Sequence, residues 1–113
     1  MLLKPGEIAT ALFYFSDQTG AKRRPVLVVS SEDYNVTTQN AVVTAISSRS
    51  QKDRYDYKIE SWKTSGLKMP SKVRTGQLLA VSGALLQKIG TLSEEEYLEV
   101  RRLLADIMGL ITN

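Results

Sequence analysis

The chain has no cysteine and no histidine. Without cysteine there are no disulfides, thiolate nucleophiles or thiolate zinc sites. Without histidine it lacks the usual general base near neutral pH and the commonest metal ligand. Any chemistry must therefore run on Arg, Lys, Asp, Glu, Ser, Thr or Tyr. Aromatics are few, with one Trp, five Tyr and two Phe. No apolar run approaches the roughly 20 residues that span a bilayer. The opening Met1-Leu2-Leu3-Lys4-Pro5-Gly6 has no stretch resembling a signal peptide, so the cytoplasm is the expected location and no membrane partner is expected.

What remains is an ordinary globular composition, 42% hydrophobic and 24% charged over 113 residues. That length predicts one domain spanning residues 1–113. The net charge of +3 hides a segregation. Residues 22–88 hold twelve Lys or Arg against five Asp or Glu, whereas residues 91–113 hold two against five. A basic middle and an acidic end point to a polyanion or an acidic peptide as partner, with plain solubility as the alternative.

The first two thirds predict β-structure. Glu7–Phe15 is rich in β-branched and aromatic residues and stops at the turn composition Ser16–Gly20. Pro25–Ser30 is an apolar run of strand length, expected to be buried on both faces with Pro25 first in the strand. Ala41–Ile46 predicts a third strand after a polar stretch, and Arg54–Glu60 alternates Tyr55, Tyr57 and Ile59 with charges. Short strands are expected at Ser71–Arg74 and Gln77–Val81. Ser82 is expected to cap a short helix running through Lys88 and ended by Gly90. Ser93 with Glu96 forms a capping box ahead of the apolar stripe Tyr97, Val100, Leu103, Leu104 and Ile107. The sum predicts a mainly β, α+β fold: a small, partly open barrel with a short helix and a C-terminal helix.

Three ordered pieces carry a likeness: Lys4-Pro5-Gly6-Glu7-Ile8; then Lys22-Arg23-Arg24-Pro25-Val26-Leu27-Val28-Val29-Ser30; then Gly66–Arg74 followed by Gln77-Leu78 and Ile89–Ser93. Together they resemble the MazF/PemK family of type II toxin–antitoxin ribonucleases over nearly the whole chain. The resemblance implies an SH3-like barrel acting as an mRNA interferase. Such an enzyme cleaves single-stranded RNA through its own 2′-hydroxyl, with no cofactor or metal, leaving a 2′,3′-cyclic phosphate and a 5′-hydroxyl. It also implies a homodimer and an antitoxin with an acidic tail. Arg24 and Ser47 fall on the family's catalytic arginine and threonine, Ser47 keeping the hydroxyl and losing the methyl. Ser48 is the alternative hydroxyl if the alignment shifts by one, and Gln77 matches a supporting glutamine. The acid often found before that glutamine is replaced by Gly76.

Read as residues, Arg24 suits bidentate phosphate binding, or else a surface ion pair. Lys22, Arg23, Arg49, Lys52, Arg54, Lys72 and Arg74 are the candidate RNA-tracking cations, or else a solvated face. Trp62 is the aromatic expected to be exposed for base stacking, with Tyr55 and Tyr57 expected in a core or dimer contact. Two other readings stay open: a gyrase-poisoning toxin of the CcdB type, and an inactive nucleic-acid-binding barrel. The ending Gly109–Asn113 lacks the Trp-Gly-Ile-type tail of the gyrase poisons.

Overall fold

The computed structural model describes residues 3–14 and 20–110. The expected turn at Ser16–Thr19, the expected strand end Phe15 and the last three residues lie outside them. The apolar, β-branched segments pair into one antiparallel sheet. Its strands are β1 (Glu7–Tyr14), β2 (Ala21–Val28), β3 (Asn40–Ser47), β4 (Asp56–Lys58), β5 (Lys72–Ser82) and β6 (Leu86–Thr91). They lie in the order β4-β5-β3-β2-β1-β6, which leaves β4 and β6 as edges and the sheet unclosed. Helix α1 spans Glu32–Thr38 and helix α2 spans Glu94–Ile107. This is the partly open, mainly β architecture with a C-terminal helix that the sequence predicts.

Burial on both faces of the central strands creates two cores. Val26 and Val28 join Leu3, Ala9, Ala11, Ala41, Val43 and Leu86 on one side. Leu27 joins Ile8, Ile46, Ile59, Leu67, Val73, Leu92 and Val100 on the other, beneath α2. The expected apolar stripe of α2 holds in part: Val100 is fully buried and Tyr97 and Leu104 pack on the same core, whereas Ile107 in the last turn is exposed. Ser93 caps α2 by accepting from the Glu96 N–H at 3.2 Å. The Glu96 carboxylate turns mainly to the loop after β4, accepting from the Glu60 N–H at 2.7 Å, the Tyr57 hydroxyl at 2.9 Å and the Ser61 hydroxyl.

Four expectations need correction. β2 starts at Ala21, so Pro25 sits inside the strand, opposite Thr10 of β1. It is tolerated because the β2–β3 ladder ends at Val26↔Ala45, leaving that side of β2 an edge at Pro25. The polar stretch after β2 contains α1, capped by Ser31, whose side chain accepts from the Tyr34 N–H. Ser82 does cap a turn, but only the 3₁₀ turn Gly83–Leu85, after which the chain pairs with β1 as β6. The two short strands expected within 71–81 are one bent strand, β5. Its register on β3 jumps from Leu78↔Thr44 to Arg74↔Ala45, so Thr75, Gly76 and Gln77 have no partner across the ladder. Thr75 recovers by donating from Oγ1 to the Tyr55 carbonyl at 2.6 Å.

Candidate functional site

Strand alternation sorts the basic block of β2. Arg24 lies two residues before Val26 and so shares its face of the sheet. On β3, Ser47 lies two residues after Ala45, which is the partner of Val26. Arg24, within β2, and Ser47, at the end of β3, therefore occupy the same face, each two residues beyond the last rung of the β2–β3 ladder. Arg24 is exposed and makes no ion pair among the described residues. Lys22 shares its face and is exposed. Arg23 points to the opposite face, where its Nη1 donates to the Thr10 hydroxyl at 3.2 Å and carbonyl at 3.4 Å.

Ser47 is half-buried, and Ser48 lies exposed past the end of β3. The Ser47 Oγ accepts from the Arg49 N–H at 3.1 Å and from Arg74 Nη2 at 3.4 Å. Arg74 is only 4% exposed. The register of β5 places it between Ala45 and Asp56, and its Nη1 forms an ion pair with the Asp56 carboxylate. Its Nη2 also donates to the Ser50 carbonyl at 3.1 Å. Arg74, expected among the solvent-facing cations, is thus an interior group. Two groups on a buried face, each neutralising the other, satisfy the rule that buried charge must be paired.

Beside this pair opens a cleft of about 470 Å³. Arg74 and Asp56 line it, with Tyr55, Gln77, Lys52 and the α2 residues Asp106 and Ile107. Arg54 stands over the Tyr55 ring, 4.3 Å from its centroid, and its Nη2 bridges to Asp106 at 2.9 Å. That bridge ties the cleft's outer rim to the end of α2. Arg49 and Lys52 are exposed, and Lys72 Nζ donates to the Arg49 carbonyl at 2.9 Å. Arg24 and Ser47 stand outside the cleft, and Ser47 touches its lining through Arg74. Trp62 is half-buried against the core beneath α2, so the aromatic at the cleft is Tyr55, contrary to expectation. The indole ring is too apolar to stay in water where this core offers it a surface.

Titration points elsewhere. The Tyr57 phenol is held above its ordinary range by burial, then by its bond to Glu96. Burial pushes the Glu96 carboxyl up, but donors from Ser61, Glu60 and Tyr57 outweigh it and the net direction is down. Neither group lines the cleft. Among the described residues no three acidic side chains converge as a metal site requires, and no helix is long and apolar enough to cross a membrane.

Comparison with known proteins gives a consistent result. Residues 4–108 match the family described as the PemK-like, MazF-like toxin of type II toxin-antitoxin system. No curated protein sequence matches the chain significantly. Among solved structures, the MazE–MazF crystal structure (Form-III) from Deinococcus radiodurans superposes with a TM-score of 0.80 at 19% identity, covering 96% of this chain and 98% of that one. An endoribonuclease in complex with its cognate antitoxin from a mycobacterial species gives 0.80 at 14%, covering 98% and 99%. The Mycobacterium tuberculosis toxin MazF-mt6 gives 0.73 at 18%, covering 92% and 99%. At such identities these likenesses establish the fold.

Proposed function

We propose that this chain, which belongs to the PemK-like, MazF-like family of type II toxins, is an endoribonuclease of single-stranded RNA. The observation that carries the reading is the solvent-facing Arg24 on the same sheet face as the Ser47 hydroxyl, just past the end of the β2–β3 ladder. In the reaction the substrate's 2′-oxygen attacks the neighbouring phosphorus. A P–O2′ bond forms, the P–O5′ bond breaks, the 2′-hydroxyl proton is released and the 5′-oxygen takes one up. The products are a 2′,3′-cyclic phosphate and a 5′-hydroxyl. Since the RNA supplies its own nucleophile, a chain without histidine or cysteine suffices.

Arg24 neutralises the charge growing on the phosphoryl oxygens, and Ser47 donates a hydrogen bond to one of them. Preorganised donors of this kind are worth about 3–4 kcal/mol each. Arg24 works as an electrostatic group rather than a proton acceptor, because a guanidinium pKa of roughly 12.5 or more is far from the working pH. Lys22, Arg49, Lys52 and Lys72 track the phosphate backbone, and Tyr55 offers a ring for base stacking. Gln77, exposed at the cleft, supports binding through its amide. A homodimer, restrained by a cognate antitoxin with an acidic tail and acting on cytoplasmic mRNA, completes the reading; the excess of positive charge in residues 22–88 supports an acidic partner.

The test is cleavage of a single-stranded RNA by the purified protein in EDTA, beside Arg24→Ala and Ser47→Ala. The reading expects cyclic-phosphate ends, and a loss of about 10²–10³ in kcat for each variant with the fold retained. Equal cutting by Arg24→Ala overturns the site. Inhibition of DNA gyrase supercoiling with no RNA cleavage would replace the reaction with gyrase poisoning.

A further inference from the structure

We infer that Asp56 is a positioning residue: through Arg74 it turns Ser47 into a hydroxyl that can only donate. This rests on the ribonuclease reading for its consequence, although not for its geometry. A serine hydroxyl has one proton to give and two lone pairs to fill. At Ser47 both acceptor directions are occupied, by the Arg49 N–H at 3.1 Å and by Arg74 Nη2 at 3.4 Å. The O–H is then the one valence left, and it is free to meet a phosphoryl oxygen. Serine has no β-branch to select a rotamer, so these two bonds must do it.

The longer bond depends on where the guanidinium is held, and Asp56 holds it. Arg74 gives Nη1 to that carboxylate, which leaves Nη2 for Ser47 and for the Ser50 carbonyl at 3.1 Å. Asp56 Oδ2 also accepts from the Lys52 N–H at 2.8 Å, and Lys72 Nζ holds the Arg49 carbonyl at 2.9 Å. The loop from Ser48 to Asp53 is therefore pinned at both ends around Ser47. Arg74 is 4% and Asp56 8% exposed, so little water competes for these bonds. The planar guanidinium transmits position well because its fork is rigid; a lysine at 74 could not serve both partners in this way.

Asp56→Asn keeps the shape but removes the charge that anchors Arg74. With RNA as substrate, kcat falls about 10-fold to 100-fold while KM stays within about twofold, as expected when a reacting group is misplaced but binding is not. Ser47→Thr supplies rotamer restriction by its methyl group. Placed on Asp56→Asn it restores activity by a larger factor than it changes the parent's activity, which general damage to the fold would not allow. Because Asp56→Asn leaves a buried guanidinium unpaired and could unfold, Asp56→Leu with Arg74→Met, which removes both charges together, provides a folded second test. A readout independent of activity is the Hα–Hβ coupling of Ser47 by NMR: one staggered rotamer in the parent, averaged rotamers in both variants. Unchanged couplings or unchanged kcat in a folded variant overturns the inference. A parent that cuts no RNA while its couplings behave as expected sinks the ribonuclease reading and leaves the positioning intact.

Discussion

Glu96 provides the most demanding test of the fold that carries the site. Its carboxylate collects the Tyr57 hydroxyl at 2.9 Å, the Glu60 N–H at 2.7 Å, the Ser61 N–H at 3.3 Å and the Ser61 hydroxyl. One side chain on α2 thus fastens β4 and the loop behind it. Replacing Glu96 by Ala leaves the Tyr57 hydroxyl and the Glu60 and Ser61 N–H groups without that acceptor, while the Ser61 hydroxyl can donate to Ser65 Oγ at 3.2 Å and the Ser93 hydroxyl, 3.4 Å from the carboxylate, is exposed to water. Each buried donor left unmet costs about 1–3 kcal/mol, and partial access to water favours the low end, so the loss is about 3 kcal/mol. For a domain of this size each kcal/mol moves Tm by about 4 °C, which gives a drop of about 12 °C. Glu96→Gln keeps one acceptor oxygen but turns an NH₂ toward donors, and should lose about half as much.

The pH dependence has a fixed sign. Burial raises the Glu96 pKa, but the donors from Ser61, Glu60 and Tyr57 bring it below its ordinary 4.5. A carboxyl whose pKa falls on folding stabilises the protein above its unfolded pKa, and that contribution disappears as acid takes the pH down through the folded value. The parent should therefore lose stability below about pH 4.5 more steeply than Glu96→Gln, which has no proton to take up there. Urea unfolding followed by far-UV circular dichroism across that range measures both effects. A Glu96→Ala variant within about 0.5 kcal/mol of the parent, or parallel acid slopes, would refute the account.

Three further outcomes follow from particular contacts. Gly90→Ala would place a Cβ 1.9 Å from the Ser65 carbonyl oxygen, whereas at Gly76 the nearest atom is 3.9 Å away. The first should lower stability by about 3 kcal/mol or more and the second by less than about 1, read by thermal melting. Trp62→Ala should cost about 2–3 kcal/mol of stability because the ring packs on the core, while Tyr55→Ala should instead weaken oligonucleotide binding by about 1–3 kcal/mol in fluorescence anisotropy. Lys22→Ala, Lys52→Ala and Lys72→Ala should each reduce the slope of log Kd against log salt by about 0.7, as one lost phosphate contact in a single strand does.

How much of this is legible in the sequence depends on what holds each element. β1, β3 and α2 are held by their own apolar patterns, and they appear within a residue or two of where periodicity predicts them. α1 has no apolar stripe: its buried residue is Asn35 and its Val36 is exposed, so only the Ser31 cap with Glu32 and Asp33 behind it signals a helix. β6 reads locally as a helix because Ser82 is a real cap, and pairing with β1 overrides it after one turn. Gly90, which looked like a helix stop, is the place where β6 passes the Ser65–Gly66 backbone too closely for any side chain. That Arg24 and Ser47 share a face follows from strand period and ordered motifs. The meeting of Arg74 with Asp56 and Ser47 does not, since it needs the β4–β5 register together with a three-residue jump of β5 on β3 that no local pattern announces.

The chain's arginines are not interchangeable. Arg23 and Arg24 are neighbours in sequence and opposites in space, because a strand reverses its side chains at every residue. Arg24 faces solvent on the face that bears Ser47, and Arg23 is engaged with Thr10 on the other. Arg74 shares the face of Ser47 but lies under it, with its charge balanced by Asp56. A phosphodiester needs one strong, unspent positive charge and one oriented hydroxyl. Two open guanidinium groups side by side would repel each other and order neither. In the proposed reaction, burying one of them in a carboxylate pair would convert it from a competitor into a support, letting a flexible serine serve where a stiffer side chain would otherwise be required.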